Sequence, residues 1–268
     1  IDKLQQLLGV ALPPVTRKNI CDMLSASDSK ISRKDIEDVF AKSQPVVFIG
    51  PYEHHSNEIS WRESLATTIE VRMDASGNID LAHLETLLQD PAYQNRIRIG
   101  SFSAASNVTG MRSDVRRIAS LLHAHDAIAC FDFAACAPYV EIDMNPAPVG
   151  AEDPSIDAIF ISPHKFLGGP GSSGVLIFNE RIYHRELPPS VSAGGTVDYV
   201  GPQGQDFISN IEEREKAGTP GVLQTLKAGL VFQIKDRIGV KFITEREQEL
   251  TARAFSKWNA EDSIEILC

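Results

Sequence analysis

The stretch of sequence that decides the fold reads Ile161-Ser162-Pro163-His164-Lys165-Phe166-Leu167-Gly168-Gly169-Pro170-Gly171. An apolar run from Ile156 to Ile161 precedes it, and a second one runs from Gly174 to Phe178. We predict two strands with a glycine-rich connection between them, and Lys165 just past the end of the first strand. A lysine in that place can act as a nucleophile toward a carbonyl. A solvated loop lysine is the alternative, and the local run alone does not decide between the two.

A third apolar run, which begins at Ile128, ends in the carboxylate of Asp132. In open α/β sheets, residues just past the carboxyl ends of the strands face the crevice in which ligands bind. Pyridoxal phosphate requires a carboxylate against its ring nitrogen and a lysine for covalent attachment. Asp132 and Lys165, each at the end of a strand, fit that requirement. The alternative for Asp132 is a helix N-cap for the segment that follows.

Five short motifs then point to one family. The chain resembles the class V aminotransferases of fold type I, a group that includes cysteine desulfurases and selenocysteine lyases. The resemblance covers about residues 45 to 235, and it implies the large domain of the fold type I pyridoxal-phosphate-dependent transferases. The motifs, in the order of the family, are Glu53-His54-His55-Ser56-Asn57, Ser106-Asn107-Val108-Thr109-Gly110, Asp132-Phe133-Ala134-Ala135, Ser162-Pro163-His164-Lys165 and Ala217-Gly218-Thr219-Pro220.

The resemblance implies a catalytic role for three residues. Lys165 would hold pyridoxal phosphate as a Schiff base and later move the α-proton of the substrate. Asp132 would pair with the ring nitrogen of the cofactor. His54 would stack on the ring, and a flat imidazole suits the face of an aromatic ring.

Four more residues are implied as cofactor ligands. Asn107 would lie near the ring hydroxyl, and Ser162 and His164 would bind the phosphate, because a hydroxyl and an imidazole N–H both donate to phosphate oxygens. Thr196 resembles a residue that reaches a phosphate across a dimer interface. A simple glycine turn is an equally good interpretation of Gly194-Gly195-Thr196.

Two positions depart from the pattern of the family. Many desulfurases have a glutamine where this chain has Ala135, and an acid where it has Lys216. Three functions therefore stay open: a desulfurase-like or lyase-like enzyme that acts on an amino acid, a transaminase or epimerase on the same scaffold, and a non-catalytic remnant of the fold. The retention of Lys165, Asp132 and His54 argues against the remnant.

The ends of the chain set the expected domain organisation. The chain begins at Ile1 without a methionine, and in the family a phosphate-binding loop precedes the first helix. The substrate-carboxylate arginine and the desulfurase cysteine loop of the family come later than Cys268. We therefore expect a piece of a longer enzyme. Residues 1–235 would form the cofactor-binding large domain, with a surface insertion at 11–32, and residues 236–268 would form a connecting helix and the start of a small C-terminal domain, with its first strand at 263–267.

Composition and charge narrow the class of protein. Hydrophobic residues make up 43% of the chain and charged residues 23%, as in ordinary globular domains. The net charge of −10 argues against nucleic acid or an anionic membrane as a partner. No apolar run reaches the roughly 18 residues of a membrane span. The expected partners are a small-molecule amino-acid substrate and, by resemblance, a second copy in a homodimer.

Cysteines and histidines carry less information. The four cysteines are scattered without a C-x-x-C pair, which favours a reducing cytoplasm over a disulfide scaffold. His54 and His55 are followed by no third ligand at a zinc-like spacing, so we predict no metal. We expect His123 and His125 on the exposed face of a helix.

Strands and helices alternate along the chain, which predicts an α/β fold with a mostly parallel sheet and helices on both faces. Strands are predicted at 45–49, 67–73, 96–102, 127–132, 156–161 and 173–178. Helices are predicted at 1–8, 33–43, 80–89, 112–125 and 220–257, the last of them broken near residues 236–239.

Overall fold

A computed structural model of the protein describes residues 1–26 and 33–266. Its centre is a six-stranded sheet with the strand order β2-β1-β3-β4-β5-β6. The first five strands are parallel, and β6 runs antiparallel to β5. The predicted α/β fold is thereby confirmed, and each strand lies within a few residues of its predicted range. The strands are β1 (Val46–Ile49), β2 (Thr67–Glu70), β3 (Arg98–Ser103), β4 (Ile128–Asp132), β5 (Ala158–Ile161) and β6 (Val175–Phe178).

Nine helices and a separate two-stranded hairpin accompany this sheet in the described residues. The helices are α1 (Asp2–Leu7), α2 (Pro14–Ala26), α3 (Arg33–Ser43), α4 (His55–Arg62), α5 (Leu81–Gln89), α6 (Val115–Ala124), α7 (Ile211–Arg214), α8 (Val222–Ile238) and α9 (Val240–Trp258). The hairpin consists of β7 (Val197–Gly201) and β8 (Gly204–Phe207).

Helices cover both faces of the sheet because successive strand residues point to opposite sides. In β1, Val46 and Phe48 pack with residues of α5, α6 and α8, whereas Val47 and Ile49 pack with residues of α1 and α4. β4 and β5 divide in the same way. The close approach of α6 to the sheet depends on Gly100 in β3, since a Cβ there would lie 2.5 Å from a methyl group of Leu122.

Several helices and strands were not predicted from the sequence. Residues 11–32, expected as a surface insertion, include the helix α2, which was not among the predicted helices, while residues 27–32 lie outside the described part. α4 was missed because its cap is a histidine, which is an unusual N-cap. The β7–β8 hairpin and the four-residue α7 were missed because their sequences are polar and short. The strand expected at 263–267 is absent from residues 263–266, where the described chain offers no neighbouring strand, and residue 267 lies outside the described part.

The predicted break in the last helix is confirmed. α8 ends at Ile238 and α9 begins at Val240, with Gly239 between them at a φ of +84°. Such a backbone conformation is readily adopted only by glycine. Across the described residues, every helix is too short or too polar to cross a bilayer.

Candidate active site

A cavity of about 220 Å³ lies at the carboxyl ends of β3, β4 and β5. It brings together six of the seven residues that the sequence singles out, although their segments are far apart in the chain. The seventh, Thr196, is not among the lining residues. The six are His54, Asn107, Asp132, Ser162, His164 and Lys165, and the other lining residues are Ser56, Ser103, Ala105, Ala134 and Ala135.

Asp132, the last residue of β4, presents a buried carboxylate to this cavity. Its Oδ1 accepts a hydrogen bond of 2.7 Å from the backbone N–H of Ala134, and its other oxygen has no hydrogen-bond donor among the described residues. Burial raises the pKa of Asp132, while the Ala134 hydrogen bond and the charges of Lys165 and His54 oppose the rise. The side chain closes a local turn and caps no helix. A cation beside the free oxygen would offset the cost of burying the charge.

Lys165 lies in the short 3₁₀ turn Pro163–Lys165, directly after β5. Its side chain is exposed, because the turn carries it into an open cleft. Its amine makes no hydrogen bond or ion pair with the described residues. The tight turn depends on Gly169, since a Cβ there would lie 1.9 Å from the carbonyl oxygen of Pro163. The glycines after Lys165 therefore shape the site.

Three further side chains line the cavity with unused hydrogen-bonding groups. Ser162 is the N-cap of the 3₁₀ turn, and its hydroxyl makes no capping hydrogen bond. His164 and Asn107 are exposed, and neither side chain bonds to another described residue. Because a hydroxyl, an imidazole and an amide can all donate to oxygen anions, the cavity has free donors for a phosphate or a phenolate.

His54 is held at the N-terminus of α4. Its Nδ1 accepts a hydrogen bond of 3.2 Å from the backbone N–H of Ser56 and lies 2.7 Å from the Ser56 hydroxyl. With Nδ1 as the acceptor, the proton of the neutral ring is on Nε2. The ring of His55 lies 6.0 Å from that of His54, centroid to centroid, and His55 does not line the cavity.

Glu53, for which no role was predicted from the sequence, holds the loop that carries His54. The carboxylate accepts four hydrogen bonds, from the backbone N–H groups of Gly50 (3.1 Å) and Ser103 (2.8 Å), the Ser103 hydroxyl (2.6 Å) and the Asn57 amide (2.6 Å). Burial raises the pKa of Glu53, and these hydrogen bonds oppose the rise. The loop is thereby joined to the ends of β1 and β3.

Asn57 extends the same network into the core. Its Oδ1 accepts from the Trp61 indole at 3.0 Å and from the Ser101 hydroxyl at 2.6 Å, and its Nδ2 also donates to the Ser101 carbonyl at 3.2 Å. Asn57, Ser101 and Trp61 are buried. Two polar residues inside the apolar strand β3, Ser101 and Ser103, were the signal in the sequence for this network.

A larger cleft of about 950 Å³ adjoins the cavity and shares Ala105, Asn107, Ala135 and Lys165 with it. Its opposite wall is formed by α9, and Cys136 and Tyr139 also line it. The methyl group of Ala135 stands where many desulfurases have a glutamine. Burial raises the pKa of Cys136 to about 11, so its thiol is neutral at physiological pH.

Helix α8 contacts the loop that follows Asp132 and the turn that carries Lys165. Lys235 donates to the carbonyl oxygens of Ala137 (2.7 Å) and Val140 (2.5 Å), both in the loop after β4. Phe232 packs on Phe166, the residue after Lys165, with ring centroids 4.8 Å apart. One helix therefore contacts both loops.

Thr196 lies outside the cavity. It is fully buried, and its hydroxyl donates to the carbonyl of Ala193 at 2.7 Å, within its own turn. A contact with a site across a dimer interface stays a prediction.

The expectation that His123 lies on the surface was wrong. Its Nε2 is 3.0 Å from the buried carboxylate of Asp157, and its Nδ1 is 2.9 Å from the backbone oxygen of Asp153. Burial opposes protonation, but these hydrogen bonds prevail and raise the pKa of His123. The side chain of Arg181 also binds Asp157. In residues 1–26 and 33–266, no group of three or more histidine, cysteine or acidic side chains could hold a metal ion.

The chain is similar to several known proteins. The family model for aminotransferase class-V matches residues 35–268. A probable cysteine desulfurase of Staphylococcus aureus is 29% identical over 82% of this chain and 51% of its own length. A probable cysteine desulfurase 2 of Mycobacterium leprae is 26% identical over 94% of this chain and 57% of its own length. The chain thus spans about half the length of the curated relatives it matches.

A solved structure shows the same fold. The apo structure of a cysteine desulfurase from Thermococcus onnurineus superposes with a TM-score of 0.67 at 24% identity. The match covers 83% of this chain and 53% of that one.

Proposed function

The chain belongs to the aminotransferase class-V family, and we propose that its protein is a pyridoxal-phosphate-dependent enzyme that acts on an amino acid in the manner of a cysteine desulfurase. The observation that carries this proposal is the convergence of His54, Asn107, Asp132, Ser162, His164 and Lys165 on one cavity. Residues 1–235 would form the cofactor-binding large domain, and residues 236–268 would lead to a smaller one.

The residues of the cavity fit the cofactor. Asp132 offers a buried carboxylate oxygen without a donor, which suits a protonated ring nitrogen. Lys165 offers an unpaired amine, and Ser162 and His164 offer unused donors for a phosphate. When bound through Lys165, pyridoxal phosphate would supply an electron sink for bonds at the α-carbon of the substrate.

Each side chain then has a specific task. Asp132 would keep the ring nitrogen protonated, because an opposite charge favours the protonated form of a base. The Nζ of Lys165 would accept and return the α-proton as a general acid–base group. His54 would cover one face of the ring, and Glu53 would fix the loop that holds His54 there.

The names of the relatives favour desulfuration over the other reactions of the scaffold. We expect the protein, supplied with L-cysteine and a thiol reductant, to release sulfide and form alanine. Conversion of an added keto acid to its amino acid without sulfide would indicate a transaminase, and inversion of the α-carbon would indicate an epimerase. Lys165→Ala is the matched control and should abolish any of these reactions.

The apolar surface of α8 supports the proposal of a homodimer. Four of its apolar residues are 56–77% exposed, and a group of exposed apolar side chains on one helix is typical of an interaction surface. They are Val222, Leu223, Leu226 and Leu230. In such a dimer, the predicted contact of Thr196 with the phosphate of the partner site would require its turn to rearrange, because its side chain is buried and its hydroxyl binds the Ala193 carbonyl. Sedimentation equilibrium should give twice the chain mass, and a monomer would refute this part of the proposal.

We also propose a cytoplasmic location. The buried thiols of Cys130 and Cys136 form no disulfide, as expected of a protein in a reducing compartment. Fractionation of the source cells should recover the protein with cytoplasmic markers, and recovery with a secreted fraction would contradict the proposal.

A further inference from the structure

The cavity and the cleft meet at a junction that holds few hydrogen-bond donors. Four described residues line both spaces, and they are Ala105, Asn107, Ala135 and Lys165. Two of them present only a methyl group, so Asn107 is the one side chain besides the Lys165 amine that can donate a hydrogen bond there. The side chain of Asn107 is exposed, and its amide makes no hydrogen bond with another described residue.

Donors elsewhere in the cavity are engaged or lie away from the junction. The Ser103 hydroxyl donates to the Glu53 carboxylate at 2.6 Å, and the Ser56 hydroxyl lies 2.7 Å from the imidazole that caps α4. Three side chains with unused donors line the cavity but not the cleft, and the proposed function assigns them to the phosphate and to one face of the ring. They are His54, Ser162 and His164. Likewise, the Tyr139 hydroxyl lines the cleft but not the cavity.

The chemistry of pyridoxal phosphate places its ring hydroxyl at this junction. The hydroxyl is on the ring carbon next to the one that carries the aldehyde, and the aldehyde carbon bonds to the Lys165 amine. The hydroxyl therefore belongs beside Lys165, in the space that the cavity shares with the cleft. We propose, on the basis of the proposed function, that Asn107 is the single side-chain donor to this hydroxyl and that Ala135 leaves the place of a second donor vacant.

A single donor changes how firmly the Schiff base of Lys165 keeps its proton. In the bound cofactor, the ring oxygen is a phenolate whose negative charge attracts the neighbouring N–H⁺ group. Each hydrogen bond donated to the phenolate spreads its charge and weakens that attraction. A vacant second place therefore raises the pH at which the Schiff base loses its proton. Because the protonated form has the more electrophilic carbon, the site stays reactive toward a substrate amine up to a higher pH.

A pH titration of the protein loaded with pyridoxal phosphate tests this inference, because the absorbance of the bound cofactor changes when the Schiff base loses its proton. We expect Asn107→Ala to raise the midpoint by about 1–2 pH units, since the phenolate loses a hydrogen bond to a charged acceptor. Ala135→Gln adds a donor and should lower the midpoint by about 1 pH unit. The double variant should lie close to the wild type, because the new amide replaces the lost one.

Two control variants match these changes. Asn145→Ala removes an exposed asparagine side chain that lines neither the cavity nor the cleft. Thr251→Gln places the same new amide on the cleft wall formed by α9, outside the cavity. Neither control should move the midpoint, because neither changes a donor at the junction.

The outcomes distinguish this inference from the proposed function. A midpoint that Asn107→Ala raises no more than Asn145→Ala does would refute the role of Asn107. If Ala135→Gln lowers the midpoint no more than Thr251→Gln does, the vacant place at Ala135 is refuted. In both cases, specific borohydride labelling of Lys165 in the wild type leaves the cofactor site standing. An unlabelled Lys165 in the wild type refutes the proposed function itself.

Discussion

Replacement of Glu53 by glutamine tests whether its carboxylate holds the loop of His54. The variant keeps the shape of the side chain, so packing changes little. Whichever way the new amide is oriented, its NH₂ group faces two donors. At the Oε1 position they are the backbone N–H groups of Gly50 and Ser103, which cannot turn away. At the Oε2 position they are the Ser103 hydroxyl and the Asn57 amide.

The orientation with the new NH₂ group at the Oε2 position costs less free energy, so it sets the expected loss of stability. The Ser103 hydroxyl can rotate and accept, but Asn57 cannot flip, because its Oδ1 is held by Trp61 and Ser101. One hydrogen bond is lost and two others change from a charged to a neutral acceptor, which costs roughly 2–4 kcal/mol before relaxation. Removal of a buried charge offsets part of this cost. We expect a net loss of about 2 kcal/mol in the free energy of unfolding, or a Tm lower by about 4–8 °C.

The raised pKa of Glu53 adds a dependence on pH. A group whose pKa is higher in the folded state stabilises the fold below its unfolded pKa, near 4.3 for glutamate. That contribution is lost as the pH rises through the folded value. The difference in unfolding free energy between the wild type and Glu53→Gln should therefore be larger in mild acid than at neutral pH.

Urea denaturation at two pH values measures both effects. Glu63→Gln is the matched control, because Glu63 is exposed and its side chain makes no hydrogen bond with the described residues; it should stay within about 0.5 kcal/mol of the wild type. A Glu53→Gln variant as stable as this control at both pH values would refute the role of the network.

Three further predictions concern other parts of the structure. Asp132→Asn should lower kcat by roughly 100-fold or more and change the cofactor dissociation constant much less, because it removes the charge that keeps the ring nitrogen protonated. Steady-state kinetics measures kcat, and fluorescence titration measures the dissociation constant. An equal loss in kcat and in cofactor affinity would contradict this role of Asp132. His123→Gln should destabilise the protein more at pH 6 than at pH 8. The raised pKa of His123 stabilises the fold below about pH 6.5, and that stabilisation is lost as the pH rises through the folded pKa. Urea titrations that give the same difference in unfolding free energy at both pH values would exclude this role of His123. Lys235→Met should lower the free energy of unfolding by about 1–2 kcal/mol, since two loop carbonyls lose their donor. The side chain of Lys241 is 89% exposed, so Lys241→Met should have little effect in the same thermal melts.

The sheet and its order of elements could be predicted from the sequence because their signals are local. Apolar runs mark strands that are buried on both faces, and glycine marks the helix break at residue 239. The residues at the strand ends, Asp132 and Lys165, follow from the same pattern. The geometry of parallel strands then brings them to one edge of the sheet.

The parts of the site that could not be predicted from the sequence depend on contacts between segments that are distant in the chain. Glu53 and Ser103 are 50 residues apart and meet only in the folded chain. His123 has the sequence of an exposed helix residue, and its partner Asp157 follows 34 residues later. The exposure of Lys165 likewise depends on how its turn meets the open cleft.

We propose that the cavity at the ends of β3, β4 and β5 is a pyridoxal phosphate site built on Lys165. The most direct test is to add the cofactor, reduce with borohydride, and map the modified peptide by mass spectrometry. We expect one phosphopyridoxyl group, on Lys165, and its loss in Lys165→Ala. A label spread over surface lysines, or a site-specific label that persists in Lys165→Ala, would contradict it.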